Sequence, residues 1–384
     1  MKALRIAILA HSTNPRGGVV HALELADALV KLGHEPVVHA PDAKGAGFFR
    51  ESLCETVSVP ASPVGSDVTQ MVEIRAADYV RHFEDPAHRR FDVFHAQDGI
   101  SGNALATLKQ CSSIAGFART VHHIDAFRDP RLSALQARAI VAADRHFTVS
   151  RLWQAELEQR HGIVSAMVGN GVDTARFSPD RDGREAGLRE RLGIGAGPVV
   201  LSVGGVEARK NTIRLLEAFA QLHVMHPNAQ LVIAGGATVL DHHAYREEFI
   251  TALSGAALPA HAVIEAGPVP QENMPSLYRL ADVLAFPSVK EGFGLVVLEA
   301  QASGVPVIVS RIAPFTEHLI DEEVVWCDPQ NAGSIANALA AALTSELAAR
   351  LKSRGPAAAR RHDWEQVASA HIETYQTLRE RAYA

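Results

Sequence analysis

Two glutamates eight positions apart, Glu291 and Glu299, bracket the segment of this 384-residue chain with the most chemical promise: Glu291-Gly292-Phe293-Gly294-Leu295-Val296-Val297-Leu298-Glu299. The residues before it, 281–288, read as a buried strand ending in a turn, and the apolar run after Gly294 reads as a helix. Glu291 then sits on a loop at a strand's carboxyl end, and Glu299 lies one to two turns into the following helix, where open α/β sheets bind ligands. The glycines allow a ligand to approach the backbone, and the new helix start offers N–H groups to an anion. A carboxylate at each end can accept hydrogen bonds from hydroxyl groups of a sugar or a ribose. Glutamates near a helix start also complement the helix dipole, so the wider pattern has to decide.

Five further segments are candidates. Arg209 and Lys210 stand on a strand-to-helix loop in 201–211. A guanidinium fork and an ammonium point charge there suit a diphosphate and the charge that develops on a departing nucleoside diphosphate, although a solvated basic turn is the plain alternative. Gly17 and Gly18 close the stretch 11–18 between the first strand and the first helix and expose backbone donors, but they form neither a G-x-G-x-x-G fingerprint nor a Walker loop. His122, in 117–125, ends a predicted strand; it could donate to a sugar hydroxyl, or be a satisfied histidine, with His123 and Asp125 as a possible pair. His95-Ala96-Gln97-Asp98 ends another strand, and Asp98 is equally well explained as a helix cap. The segment 267–278, with Val269-Pro270, shows only a helix entry.

Taken along the chain, the glycine loop at Gly17-Gly18, His122, Lys210, Val269-Pro270 and Glu291 to Glu299 resemble, in order, the E-x7-E signature and accompanying loops of retaining glycosyltransferases of the family 4 type, over most of the chain and most closely from 199 to 317. The resemblance implies an α/β, GT-B architecture: two Rossmann-like, doubly wound parallel-sheet domains facing a central cleft. It implies a nucleoside diphosphate-sugar donor held mainly by the second domain and an acceptor, of unspecified identity, on the first. Glu299 would bind ribose hydroxyls and Glu291 the donor sugar. Lys210, Arg209 and the helix start at Gly292, Phe293, Gly294 and Leu295 would hold the diphosphate. Gly17 and Gly18 would contact the donor's phosphate or sugar, His122 would lie beside the sugar, and the base would rest near Val269. His122, Lys210 and Glu291 are thus the groups assigned to catalysis. Transfer with retention is implied, the departing phosphate taking the acceptor's proton, with fixed cations in place of a metal and no cofactor beyond the donor. One departure stands out: Gly205 occupies the place of the arginine that usually follows the first glycine, so Arg209 is expected to supply the second cation in another register. A sugar-nucleotide 2-epimerase on the same architecture and a non-catalytic nucleotide-sugar-binding partner subunit are the competing readings. A nicotinamide dehydrogenase is disfavoured, since neither half has the dinucleotide fingerprint.

The elements that must position these groups alternate. In the first half, strands are expected at 6–10, 37–40, 91–96, 114–121 and 146–150, with helices at 19–31, 69–84, 101–110, 131–143 and 151–160. A glycine- and proline-bearing break follows, placing domains at 1–178 and 179–363, with a last helix in 364–384 expected to rejoin the first. The second half has strands at 198–203, 230–234, 262–265, 283–286 and 305–309, with helices near 211–223, 242–253, 272–280, 295–303 and 332–343. The alternation implies parallel, doubly wound sheets.

A net charge of -6 argues against a global pull toward nucleic acid, and 47% hydrophobic with 21% charged residues excludes bulk disorder. Three dispersed cysteines make no zinc spacing or disulfide framework. Asp241-His242-His243 is read as a helix cap and first turn rather than a metal site. The amino-terminal apolar run reads as a strand rather than a signal peptide, and no stretch reaches a transmembrane length, so a cytoplasmic protein is expected. Arg75, Arg81, Arg89 and Arg90 with Tyr79 and Phe83 could meet a lipid headgroup in peripheral membrane contact, but Asp78, Glu84 and Asp85 dilute that charge and favour a solvated helix face. No oligomeric state is implied.

Overall fold

The computed structural model describes residues 2–236 and 243–382. Asp241 and His242 lie outside the described residues. The chain forms two compact units, Met1–Gly171 with Trp364–Ala384, and Val172–Asp363.

The first unit runs β1 (Arg5–Leu9), α1 (Gly17–Lys31), β2 (Glu35–Asp42), β3 (Glu55–Pro60), α2 (Val68–His82), β4 (Val93–Ala96), α3 (Gly99–Gln110), β5 (Ala118–Val121), α4 (Pro130–Val141), β6 (Arg145–Thr148), α5 (Arg151–His161) and β7 (Ala166–Met167). Its seven strands lie in the order β3-β2-β1-β4-β5-β6-β7, all pairs parallel. Parallel neighbours require crossover connections, here mostly helices, and those helices cover the sheet, so the central strands are apolar without alternation. Ile6 to Leu9 and Val93 to Ala96 are accordingly buried throughout. The chain winds outward from β1 to β3, then restarts at β4 on the other side of β1. The carboxyl ends of β1 and β4 therefore flank a switch point, where the loops diverge and leave room for a ligand.

The second unit repeats the scheme: α6 (Glu185–Leu192), β8 (Val199–Val203), α7 (Thr212–Met225), β9 (Gln230–Ala234), α8 (His243–Gly255), β10 (Val263–Gly267), α9 (Met274–Leu280), β11 (Val283–Phe286), α10 (Leu295–Ala302), β12 (Val307–Ser310), α11 (Phe315–His318), β13 (Val325–Cys327), α12 (Ala332–Ala342) and α13 (Ser345–Ala359). The order β10-β9-β8-β11-β12-β13 is again wholly parallel, with its switch point between β8 and β11. Leu215, Phe219, Leu231, Phe249, Val283 and Ile308 join in one core. The last helix, α14 (Trp364–Ala382), belongs to the first unit and packs along α1.

The strand and helix readings differ from the structure mainly at edges. β3 and β7 in the first sheet and β13 in the second were not anticipated; they are edge strands, and β3 buries only Val59 fully. An edge strand lacks the double burial that makes a central strand legible. α13 was not anticipated either; Gly355 and Pro356 within it break the helical pattern in sequence. Gly355 allows close packing, since a Cβ there would come 2.8 Å from the carbonyl oxygen of Gln301. The units divide at Gly171/Val172 rather than 178/179, and Phe177 already packs on Tyr278 of the second unit, ring centroids 5.8 Å apart.

Four histidines gather in the first unit near α1 and α14. His21, His95 and His371 are wholly buried, and His122 is half-buried. His21 meets Trp364 edge-on at 5.3 Å and His122 at 4.8 Å, and His371 lies 5.6 Å from His95. His95 is held by the Tyr375 hydroxyl and Thr120 Oγ1, each at 2.7 Å. Burial pulls His21 down to about 4, against its hydrogen bond with Asn170, and His371 down to about 3.

Both rings are neutral in the fold at neutral pH and take up protons near pH 6.5 once unfolded. Between those values the unfolded state binds more protons. Their contribution is therefore complete above about pH 6.5 and is lost as the pH falls toward 4 for His21 and 3 for His371, by at most about 1.4 kcal/mol per pH unit for each ring. Urea titrations over this range should show the decline, with a shallower slope in His371→Phe; an unchanged slope in that variant would remove this ring as a cause.

Candidate functional site

At the second unit's switch point, a single carboxylate oxygen meets both predicted cations. Lys210 Nζ lies 2.8 Å and Arg209 Nη1 2.7 Å from Glu291 Oε1. Arg209 also extends Nη2 to within 3.6 Å of Glu207 Oε2. Lys210 Nζ stands 4.3 Å from the centre of the Phe286 ring, a favourable cation–π placement. The Lys210 side chain is 11% exposed and that of Glu291 7%, while Arg209, at 36%, reaches solvent. Burial lowers the Lys210 pKa, with Glu291 opposing it. Burial alone would raise the Glu291 pKa, but Lys210 and Arg209 outweigh it and leave it below the usual carboxylate value.

Local sequence explains how the two loops meet. Ala208–Lys210 form one tight 3-10 turn, closed by Asn211 in the left-handed region at φ 60°. The Asn211 amide donates to the carbonyls of Pro287 at 3.0 Å and Pro329 at 2.7 Å, fastening the loops after β11 and β13 to the start of α7. The Val289 N–H also donates to the Arg209 carbonyl at 3.0 Å. Gly204, at φ 127°, leaves the space that the Lys210 stem fills: a Cβ there would lie 2.5 Å from Lys210 Cε.

The same surface explains the departure at Gly205. Its φ of 77° disfavours a side chain, and a Cβ would come 3.1 Å from the Gly236 carbonyl oxygen. Gly235 reciprocates, with a Cβ position 2.6 Å from the Gly205 nitrogen, and a Cβ on Gly236 would meet Pro268 Cγ at 2.9 Å. The loops after β8, β9 and β10 thus stack backbone on backbone, with the half-buried Val269 beside Pro268.

Gly294 caps α10 at φ 102° without a side-chain cap, and a Cβ there would strike Phe315 Cε1 at 2.5 Å. Phe293 is buried and stacks on His318 at 4.3 Å with the planes 7° apart, while His362 meets it edge-on at 6.0 Å. Gly292 and Leu295 are half-buried on the same segment. Glu299, on α10, has different partners from Glu291. The Tyr278 hydroxyl donates to its Oε2 at 2.6 Å. Burial raises the Glu299 pKa against that bond and the charge of Arg176. Arg176 is fixed by Gln271, donating to its carbonyl at 2.8 Å and its Oε1 at 3.0 Å.

Within the first unit, Gly18 and His122 come together: a Cβ on Gly18 would lie 3.9 Å from the imidazole, while Gly17 faces open space. His122 Nε2 donates to Gln97 Oε1 at 3.0 Å, and burial, with His21 and Arg119 nearby, keeps the ring neutral. His123 pairs with Asp125 at 3.0 Å. Asp98 caps α3, accepting from the Ser101 N–H at 2.9 Å. Arg75 lies against Asp78 at 2.9 Å, and Arg81 lies 3.1 Å from the same carboxylate, so these two arginines have acidic partners within their own helix. Among the described residues no group of three or more metal-ligating side chains gathers, and no helix is long and apolar enough to cross a membrane.

Residues 187–358 match the family model described as glycosyl transferases group 1, and residues 15–176 match that of Glycosyltransferase Family 4. A D-inositol 3-phosphate glycosyltransferase from Acidothermus cellulolyticus is 30% identical over 74% of this chain and 67% of its own length. The sucrose-phosphate synthase structure from Thermosynechococcus elongatus superposes with a TM-score of 0.80 at 22% identity, covering 98% of this chain and 99% of that one. The Anabaena protein HepE, solved with UDP-glucose, gives 0.77 at 19% identity, covering 97% and 100%. The chain belongs to the family 4 glycosyltransferases and has the GT-B fold of two parallel-sheet α/β domains.

Sequence reading passed over Glu207, Asn211, Tyr278 and Arg176 as contributors here. Only Asn211, directly after Lys210, carried a local signal. Two outcomes test this geometry. Glu291→Gln removes the charge that supports the buried ammonium, so the Lys210 pKa should drop further and the alkaline limb of kcat/KM should move to lower pH; an unmoved limb would separate the two residues. Gly204→Ala, placed on the Lys210 stem, should destabilise the unit by about 1–3 kcal/mol and lower turnover beyond what that loss explains, read by urea titration and steady-state rates.

Proposed function

We propose that this family 4 glycosyltransferase moves a sugar from a nucleoside diphosphate-sugar to an acceptor hydroxyl with retention at the anomeric carbon. The observation that carries the reading is the convergence of Lys210 and Arg209 on Glu291 at the switch point of the second sheet. The donor's diphosphate is taken by Lys210, Arg209 and the uncapped start of α10 around Gly292, Phe293, Gly294 and Leu295. Lys210 Nζ has three hydrogens and gives one to Glu291, leaving donors for phosphate oxygens. Glu299, oriented by Tyr278, accepts from the ribose hydroxyls, and the base rests on the backbone near Val269. Glu291 holds Lys210 charged and accepts from the donor sugar.

In the transfer, the anomeric C–O bond to the diphosphate breaks and negative charge grows on the leaving oxygen. A buried, preoriented ammonium stabilises that charge more than the ground state. The departing phosphate takes the acceptor's proton as its oxygen bonds to the same face of the sugar. Gly17, Gly18 and a neutral His122 are the first unit's candidates for sugar contacts; with its Nε2–H given to Gln97, the ring can accept from a hydroxyl through Nδ1. No metal is needed in this scheme. HepE's complex with UDP-glucose and the relative named for D-inositol 3-phosphate support the donor and acceptor classes.

Incubation of the full chain with UDP-glucose or GDP-mannose and a panel of hydroxyl acceptors tests the reading. Nucleoside diphosphate should be released and the new linkage should keep the donor's anomeric configuration by proton NMR. An inverted linkage would overturn retention, and conversion of donor to an epimer without acceptor would favour the epimerase. Lys210→Ala should raise the barrier by about 2–4 kcal/mol; near-normal turnover would remove Lys210 from the mechanism.

A further inference from the structure

A short helix in the second unit, α11, touches the donor segment without carrying any group that reacts. It is four residues long, and Phe315 and His318 stand one turn apart on it. Phe315 is wholly buried. It lies against Gly294, where a Cβ would come 2.5 Å from its Cε1, and it meets the Phe286 ring edge-on at 5.8 Å. Phe286 is the ring that faces Lys210 Nζ. His318 takes the residue before Gly294: its imidazole stacks on Phe293 at 4.3 Å, with the planes 7° apart. Burial brings the His318 pKa down to about 3, so the ring is neutral, and its Nδ1 donates to the Pro314 carbonyl at 3.0 Å, which fixes its orientation. His362 closes the cluster edge-on to both rings, 6.0 Å from Phe293 and 5.6 Å from His318. The His362 carbonyl accepts from the Val172 N–H at 3.0 Å, so its backbone is held as well.

The donor segment needs such a support. Phe293 stands between two glycines, and α10 starts after Gly294 with no side-chain cap. The backbone of 292–294 is therefore free to wander unless Phe293 is gripped. N–H···O bonds keep their strength only over a window of about 0.5 Å, so a small drift of this backbone would cost a phosphate its donors. α11 answers both needs, with Phe315 against Gly294 and the Phe286 ring, and His318 against Phe293. We propose that His318 is a positioning residue for the donor's diphosphate: through Phe293 it holds the N–H groups of 292–295 in place relative to the Lys210 ammonium, while Phe315 seats α11 against both. The inference rests on the reading that these N–H groups and Lys210 take the diphosphate.

Titration calorimetry of the full chain with UDP, GDP, uridine and guanosine tests this, together with amide hydrogen exchange of the ligand-free chain. His318→Ala removes the stacked ring, His318→Phe supplies another flat one, and Thr316→Ala, at an exposed position of α11, is the control. The ratio of nucleoside diphosphate to nucleoside affinity should fall about tenfold in His318→Ala and return to within about threefold of wild type in His318→Phe. Exchange across 292–295 should quicken about tenfold in His318→Ala, with β8 and β11 still protected. An unaltered ratio or unaltered exchange overturns the assignment. So does an equal loss of nucleoside and nucleoside diphosphate binding with a lower melting temperature, which marks a structural role alone. A wild-type chain that binds no nucleoside diphosphate would sink the donor reading instead, and exchange, which needs no ligand, would then decide whether His318 holds the segment.

Discussion

The ammonium of Lys210 is buried and remains a cation because Glu291 lies 2.8 Å away. Either group alone at that depth would be driven toward its neutral form. Together they make a fixed dipole at the one place in the second sheet where the strand order reverses. The surrounding structure serves that pair. Gly204 clears room for the lysine stem, Asn211 fastens the loops, Phe286 offers the face of its ring, and Arg209 adds a more exposed charge on the same oxygen. Pairs of this kind contribute little net stability, since desolvation offsets attraction. Their value is that the charge is already placed when a phosphate arrives.

The first unit uses the same strand order for a different electrostatic purpose. Where the second unit collects charges, the first collects neutral imidazoles: His21, His95 and His371 are core side chains packed on Trp364, Phe147 and Tyr375. A scattered histidine count in sequence conceals this, because α1, β4 and α14 contribute one ring each from positions far apart in the chain.

Much of the fold was readable because central strands are short apolar runs and the helices between them carry amphipathic spacing. Lys210 and Glu291 could each be placed at a strand's carboxyl end on that basis. Their direct contact could not, since it joins residues 81 positions apart and depends on β8 and β11 being neighbours. The missing arginine at Gly205 looked like a defect in sequence. In the structure it is a consequence of backbone stacking, for the loops after β8 and β9 approach too closely for a side chain. Tyr278 was invisible for the opposite reason: a buried aromatic in an apolar helix looks like core until its hydroxyl is seen on Glu299. The edge strands and α13 escaped because their composition reflects one-sided packing and a local glycine-proline pair.

The assignment of α14 to the first unit has a consequence for biosynthesis. Residues 1–171 leave the ribosome long before Trp364, and the whole second unit is translated in between. Until the final helix emerges, the apolar flank of α1 and the ring of His21 have no lid, and the nascent amino-terminal half carries an open seam. The second unit, encoded contiguously, can mature first, so vectorial translation would finish the later-encoded lobe before the earlier one.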